Sequence, residues 1–265
     1  MNATRKLLAA GLGAVLFGAA AVPAVAAPVA DGFATTQLGR TDDGVSGPID
    51  IGFSVNFFGT TYSQLYVSNN GYVTFGAGQG NYAPVGLGAS YSGNPIIAAF
   101  YDDVDTRNAA SGITAWGQGT YAGHAAFGVT WPAVGYYANK ADRLDTFQLI
   151  LTDRSDTGVD NFDIYMNYGD MEWDSASTTN SASVGFNAGT GASGSYYEAP
   201  GSLVHGAFVD GGANALQVSD LALNVRSGAA LLAPQAVPEP ATFGLLGGGF
   251  VAAALVRRRR RDASA

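Results

Sequence analysis

Three aspartates, Asp102, Asp103 and Asp105, close the apolar run at residues 96–100, with Asn108 just behind them. Hard carboxylate oxygens gathered at a strand end are what calcium takes, about six to eight of them at a time. Aspartate in the same setting also bonds its own backbone and closes turns. Three carboxylates leave the oxygen count short. The expectation is therefore no cofactor, with calcium at Asp102, Asp103 and Asp105 as the alternative. Asp153, Asp156 and Asp160 in DRSDTGVDN pose the same choice and lack the spacing of an EF-hand.

Catalytic signals are thin. His124 and His205 are the only histidines, and the chain has no G-x-S-x-G elbow. GAGQGN at 76–81 follows a hairpin and opens no helix, so it reads as a loop and not a dinucleotide cradle. Nothing nominates a carboxylate pair for glycoside hydrolysis. Trp116, Trp131, Trp173 and thirteen tyrosines offer stacking surface for sugars, but such rings more often fill a core. Trp131 falls in register with Phe127, which favours core. Tyr136-Tyr137 and Tyr196-Tyr197 are the candidate glycan or partner contacts, because adjacent strand residues point to opposite faces.

The elements that must position these residues are strands. Ile51, Phe53, Val55 and Phe57 alternate with small or polar residues. So do Phe127, Val129 and Trp131, then Phe147, Leu149 and Leu151, then Phe162, Ile164 and Met166, and Val184 with Phe186. Period two marks half-buried strands, and no window between 51 and 225 repeats as an amphipathic helix. Asn70-Gly71 between two apolar runs predicts a hairpin. Many short strands with frequent turn signals predict an all-β, antiparallel two-sheet β-sandwich.

The body, residues 27–236, carries nineteen acidic against six basic residues. Such a surface repels phosphate backbones, which argues against nucleic acid as a partner. There is no cysteine, so neither disulfides nor thiolate metal sites contribute.

The two ends have another character. Arg5-Lys6, an apolar run and the small pair Ala24-x-Ala26 read as a signal peptide over 1–26, cut after Ala26. The other end, 237–265, holds Pro238-Glu239-Pro240, sixteen apolar residues at 241–256, and Arg257, Arg258, Arg259, Arg260 and Arg261. As a helix that run would span about 24 Å at ~1.5 Å per residue, short of a hydrocarbon core of about 30 Å. The arginines hold their side in the cytoplasm. Proline keeps the Pro-Glu-Pro segment extended, a shape suited to a protease cleft.

This order of parts resembles the PEP-CTERM sorting signal over about thirty residues. The resemblance implies a Gram-negative bacterium that makes exopolysaccharide, a membrane-held tail, and processing by an exosortase that recognises Pro238, Glu239, Pro240 and the arginine cluster.

Between the ends, several stretches resemble the NIDO domain, an extracellular module of nidogen, alpha-tectorin and membrane mucins. VSNNGYVTF at 67–75 is similar to its V-x-N-N-G-x-(V/I)-x-F hairpin, and PIIAAFYDDVDTR at 95–107 to its I-A-P-F-W-A-D-V-D-T-R segment. Further matches run through 129–131, 145–148, 165–173, 185–189 and 196–202, covering roughly 50–225. Tyr101-Asp102 stands where the pattern has Trp-Ala, and Asp145 where Asn is common. The cysteine-rich companion modules are absent.

Together these readings predict a single NIDO-like sandwich within 27–236, exported to the cell envelope, surface or matrix, where it acts as a non-enzymatic adhesive or structural protein. The expected partners are an exosortase and an exopolysaccharide or other matrix component, with the membrane held by the tail before processing. The alternatives are a calcium-dependent lectin-like module and a secreted polysaccharide hydrolase.

Overall fold

The computed structural model describes residues 29–176, 181–216, 221–226 and 229–231. The signal-peptide and sorting-tail readings lie outside these residues.

Thirteen strands are described: β1 (Thr36–Gln37), β2 (Ile49–Phe57), β3 (Thr60–Val67), β4 (Tyr72–Thr74), β5 (Ile96–Tyr101), β6 (Ala115–Tyr121) and β7 (His124–Tyr136). There follow β8 (Lys140–Asp153), β9 (Phe162–Met171), β10 (Ser183–Asn187), β11 (Tyr196–Glu198), β12 (Leu221–Arg226) and β13 (Ala229–Leu231). No helix occurs among the described residues. The strands form two antiparallel sheets packed as a sandwich, in the orders β1-β6-β7-β8-β9-β12-β13 and β11-β10-β5-β4-β3-β2.

The alternation read from the sequence is the inward face of these sheets. Phe127, Val129 and Trp131 from β7 and Phe147, Leu149 and Leu151 from β8 meet Phe57, Val73, Phe75 and Phe100 from the other sheet in one core. Facing sheets bury such side chains about 10 Å apart. Trp131 stacks on Phe147 with ring centres 5.0 Å apart.

The sandwich also has covered outer faces, which half-buried strands do not predict. All six residues of β5 are buried. The loop between β4 and β5 folds back so that Leu87 and Tyr91 cover Tyr72, Ile96, Ala98 and Tyr101. The Tyr72 hydroxyl pins that loop by donating to the carbonyls of Gln79 (2.8 Å) and Asn81 (2.9 Å). On the other sheet an N-terminal strap lays Phe33 against Ala126 and Ile150. The Gln148 amide exchanges two hydrogen bonds with the Ala30 backbone and so holds the strap in place. The folded unit therefore takes in residues well upstream of 50.

Candidate functional site

The predicted hairpin joins β3 to β4 through Asn69, Asn70 and Gly71, and this turn builds the site. Both asparagines are fully buried. Buried amides must find partners, since leaving one unsatisfied costs about 1–3 kcal/mol. Asn69 donates its side-chain amide to the carbonyls of Thr41, Asp42 and Val104 and accepts from the Thr114 hydroxyl. Asn70 donates to the Asp43 carboxylate (2.9 Å) and accepts from the Val104 N–H (3.0 Å). Two neighbouring asparagines thus clamp an upstream loop at 41–44 to the segment leaving β5. Gly71 makes the approach close enough: its φ is +81°, and a Cβ there would lie 1.6 Å from the Phe100 carbonyl oxygen. The Trp131 indole closes the turn by donating to the carbonyls of Asn69 (3.0 Å) and Ser68 (3.3 Å).

The segment after β5 sends the three predicted ligands to three different places, a correction to their grouping as one site. Asp102 turns inward beside Asp145 and Asp174, all three buried. Its Oδ1 accepts the Asp103 N–H at 2.8 Å, while its Oδ2 has no partner among the described residues. Asp105 is saturated. It takes a forked pair of bonds from the Arg107 guanidinium (2.9 and 2.6 Å) and accepts the N–H groups of Arg107 and Asn139. Asn108 spends its side chain on the Ala110 N–H and the Asn139 carbonyl. Only Asp103 faces a shared space, and there it meets Asp42 and Asp43, whose carboxylate oxygens lie with its own within 4.8 Å of one another. Neighbouring residues of an extended chain point opposite ways, which is why Asp102 and Asp103 part company.

Nothing local in the sequence marks Asp42 and Asp43. The signal lay in VSNNG, whose buried amides need something to bind. Arg40 carries no local mark either; it donates to the carbonyls of Thr106 (2.7 Å) and Ser111 (2.8 Å) and so fixes the loop beneath the cluster.

The electrostatics follow from this crowding. Burial, then the neighbouring Asp42, Asp43 and Asp105, push the Asp103 carboxyl up to about 7. Asp42 is raised for the same reasons, although Arg107 pairs with its Oδ2 at 2.7 Å. Burial raises Asp105 too, but the Arg107 and Asn139 hydrogen bonds outweigh it and hold that carboxyl below its ordinary value. In the interior, burial pushes Asp102 up to about 8 and Asp145 well above the ordinary range. Asp102 and Asp145 are the two acidic departures from the NIDO pattern, and after burial the neighbouring Asp102 adds to the upward shift of Asp145.

The remaining candidates are dispersed. Asp153 caps Ser155, Asp156 pairs with Arg154 (3.0 Å), and Asp160 accepts the Thr61 hydroxyl (3.0 Å). Tyr136 is buried, with Arg143 over its ring at 4.7 Å and its hydroxyl donating to Asp142 at 3.0 Å. Tyr137 beside it is 51% exposed. Tyr196 and Tyr197 are half-buried, and Tyr197 stacks on Phe186. Trp116, Trp131 and Trp173 all belong to the core. His205 stands at the surface, its Nδ1 3.8 Å from Asp174.

Residues 25–207 match the family described as NIDO related, and residues 236–261 match the PEP-CTERM protein-sorting motif. The chain is 30% identical to nidogen of Drosophila melanogaster over 119 residues, 37% of this chain and 9% of that protein. It is also 30% identical to alpha-tectorin of Mus musculus over 170 residues, 57% of this chain and 8% of that protein. The aligned stretch is thus a small part of these long relatives. No solved structure matches. An extracellular type of domain followed by a sorting motif marks an exported surface protein, and by the extent of its match the chain belongs to the NIDO-related family.

Proposed function

We propose that the protein is a non-enzymatic adhesive or structural component of the surface or exopolysaccharide matrix of a Gram-negative bacterium. Residues 1–26 direct export, residues 27–236 form the working domain, and an exosortase processes the tail at 237–265. The observation that carries this reading is the union in one chain of a NIDO-related domain at 25–207 and a sorting motif at 236–261. The saturated hydrogen bonding of the hairpin supports it, because a rigid sandwich presents loops without needing them to move. Tyr137 is the most exposed of the four candidate contact tyrosines.

The test is co-sedimentation of the purified protein with exopolysaccharide from a host that carries the sorting system, with soluble sugar assayed in the supernatant. Retention without sugar release is the expected result. Steady release of sugar would make the protein a hydrolase, and failure to be retained by any matrix fraction would end the adhesive reading.

A further inference from the structure

The geometry points to a divalent-cation site of the calcium class formed by Asp42, Asp43 and Asp103 at the loop end of the sandwich. The three carboxylates come from segments about sixty residues apart, yet their oxygens lie within 4.8 Å of one another. Oxygens gathered this closely can share one cation, and calcium, which accepts irregular geometry at about 2.4 Å, suits loop carboxylates better than magnesium, which demands a near-ideal octahedron at about 2.1 Å. All three donors are hard oxygens, with no imidazole or thiolate in the group, and that donor set suits calcium and not zinc or copper.

Two further observations separate this group from a chance cluster of surface acids. The Asp103 residue is more than nine-tenths buried, and its carboxylate receives no hydrogen bond from the described residues. The Asp42 Oδ1 atom is likewise buried and without a partner. Burying charged oxygens without donors or a cation is costly, so such groups normally bind one.

The surrounding donors then fall into a consistent arrangement. The Asn70 amide holds Asp43 by Oδ1, and Arg107 holds Asp42 by Oδ2. Each of those carboxylates keeps one oxygen free of these bonds. Outer groups that fix a ligand's orientation in this way are the usual companions of a metal site. Asp43 is exposed and gives the ion a path from solvent, and water completes the coordination. Asp102 and Asp105 take no part, one turned inward and the other saturated.

The experiment uses the full chain, stripped with chelator and then titrated with calcium chloride. Equilibrium dialysis with radioactive calcium gives stoichiometry, and thermal melting gives linkage. One ion per chain is expected, with the melting temperature rising by about 5–10 °C at a hundredfold excess over Kd. Asp43→Asn alters an exposed side chain and should weaken binding by about tenfold or more while keeping the apo melting temperature. Asp103→Asn should do the same to binding, and Asp170→Asn, at an exposed position on β9, should leave it unchanged. No bound calcium at millimolar concentration, or binding unaltered in both Asp43→Asn and Asp103→Asn, overturns the site.

Discussion

Asn70 lies 2.9 Å from Asp43 and donates its side-chain amide to that carboxylate, 27 residues upstream. The same side chain accepts the Val104 N–H at 3.0 Å on the other side. One buried amide therefore sets the distance between two acidic loops that are remote in sequence. The hairpin motif is in this sense the frame of the acidic cluster.

Replacing that amide tests the frame. Asn70→Ala removes a buried hydrogen bond to the Val104 N–H, which keeps its second bond to the Asp102 carbonyl, and returns the exposed Asp43 carboxylate to solvent. Urea unfolding should show a loss of about 1–2 kcal/mol with an unchanged slope against denaturant. Calcium affinity should fall as well, because Asp43 loses its tether. Asn70→Asp should not restore stability, since it puts another carboxylate beside Asp43.

Gly71→Ala should be worse. The new methyl group would meet the Phe100 carbonyl oxygen at 1.6 Å on a backbone with φ of +81°. Neither partner is a flexible side chain, so the hairpin must leave β5. Backbone strain of about 1–3 kcal/mol adds to the lost pairing. The expected outcome is an insoluble chain, or one with Trp131 fluorescence typical of a solvated indole.

Stability should depend on pH in an unusual direction. Asp102 is raised by burial from an ordinary value of 3.8 to about 8, and Asp145 is raised in the same direction. For a carboxyl raised on folding, the unfolded chain ionises first as pH climbs. Its stabilising contribution is complete below about pH 4 and is lost progressively towards pH 8. Asp105 runs the opposite way, contributing above its ordinary range and failing only in stronger acid. With chelator present, the melting temperature should be higher at pH 5 than at pH 8. Asp145→Asn, which restores the residue common in the NIDO pattern, should flatten that slope. A melting temperature that rises from pH 5 to pH 8 in the parent chain would contradict it.

The tail makes a separate prediction from sequence. The apolar run at 241–256 is short and holds Gly244, Gly247, Gly248 and Gly249, each weakening a helix by about 1 kcal/mol relative to alanine. That suits a temporary hold better than a permanent anchor. Mass spectrometry of the surface protein should find a C-terminus near residues 238–242, without the arginine cluster. Glu239→Ala should leave an unprocessed, membrane-held form, and loss of residues 257–261 should cause mis-sorting. A surface protein still ending in Asp262-Ala263-Ser264-Ala265 would make the tail an anchor only.

By itself the sequence determined what depends on neighbours along the chain. Period-two alternation in β2, β7, β8 and β9 specified strands and their inward faces, because each strand displays its pattern locally. Asn70-Gly71 specified a hairpin for the same reason, and the ordered motifs from 67 to 202 specified the family. Tertiary structure decided which polar groups face one another. Asp102, Asp103 and Asp105 look alike in sequence, but the extended backbone turns the first into the interior, sets the second against Asp42 and Asp43, and delivers the third to Arg107. Asp42 and Asp43 join Asp103 because Asn69 and Asn70, together with Arg40 and the Thr41–Thr106 bonds, hold the loop that carries them. The covering of both outer faces by Phe33, Leu87 and Tyr91 was likewise invisible, since those residues lie in irregular segments with no period to read. A period reports which side of a strand avoids water. What fills the space opposite is set by distant segments folding over it.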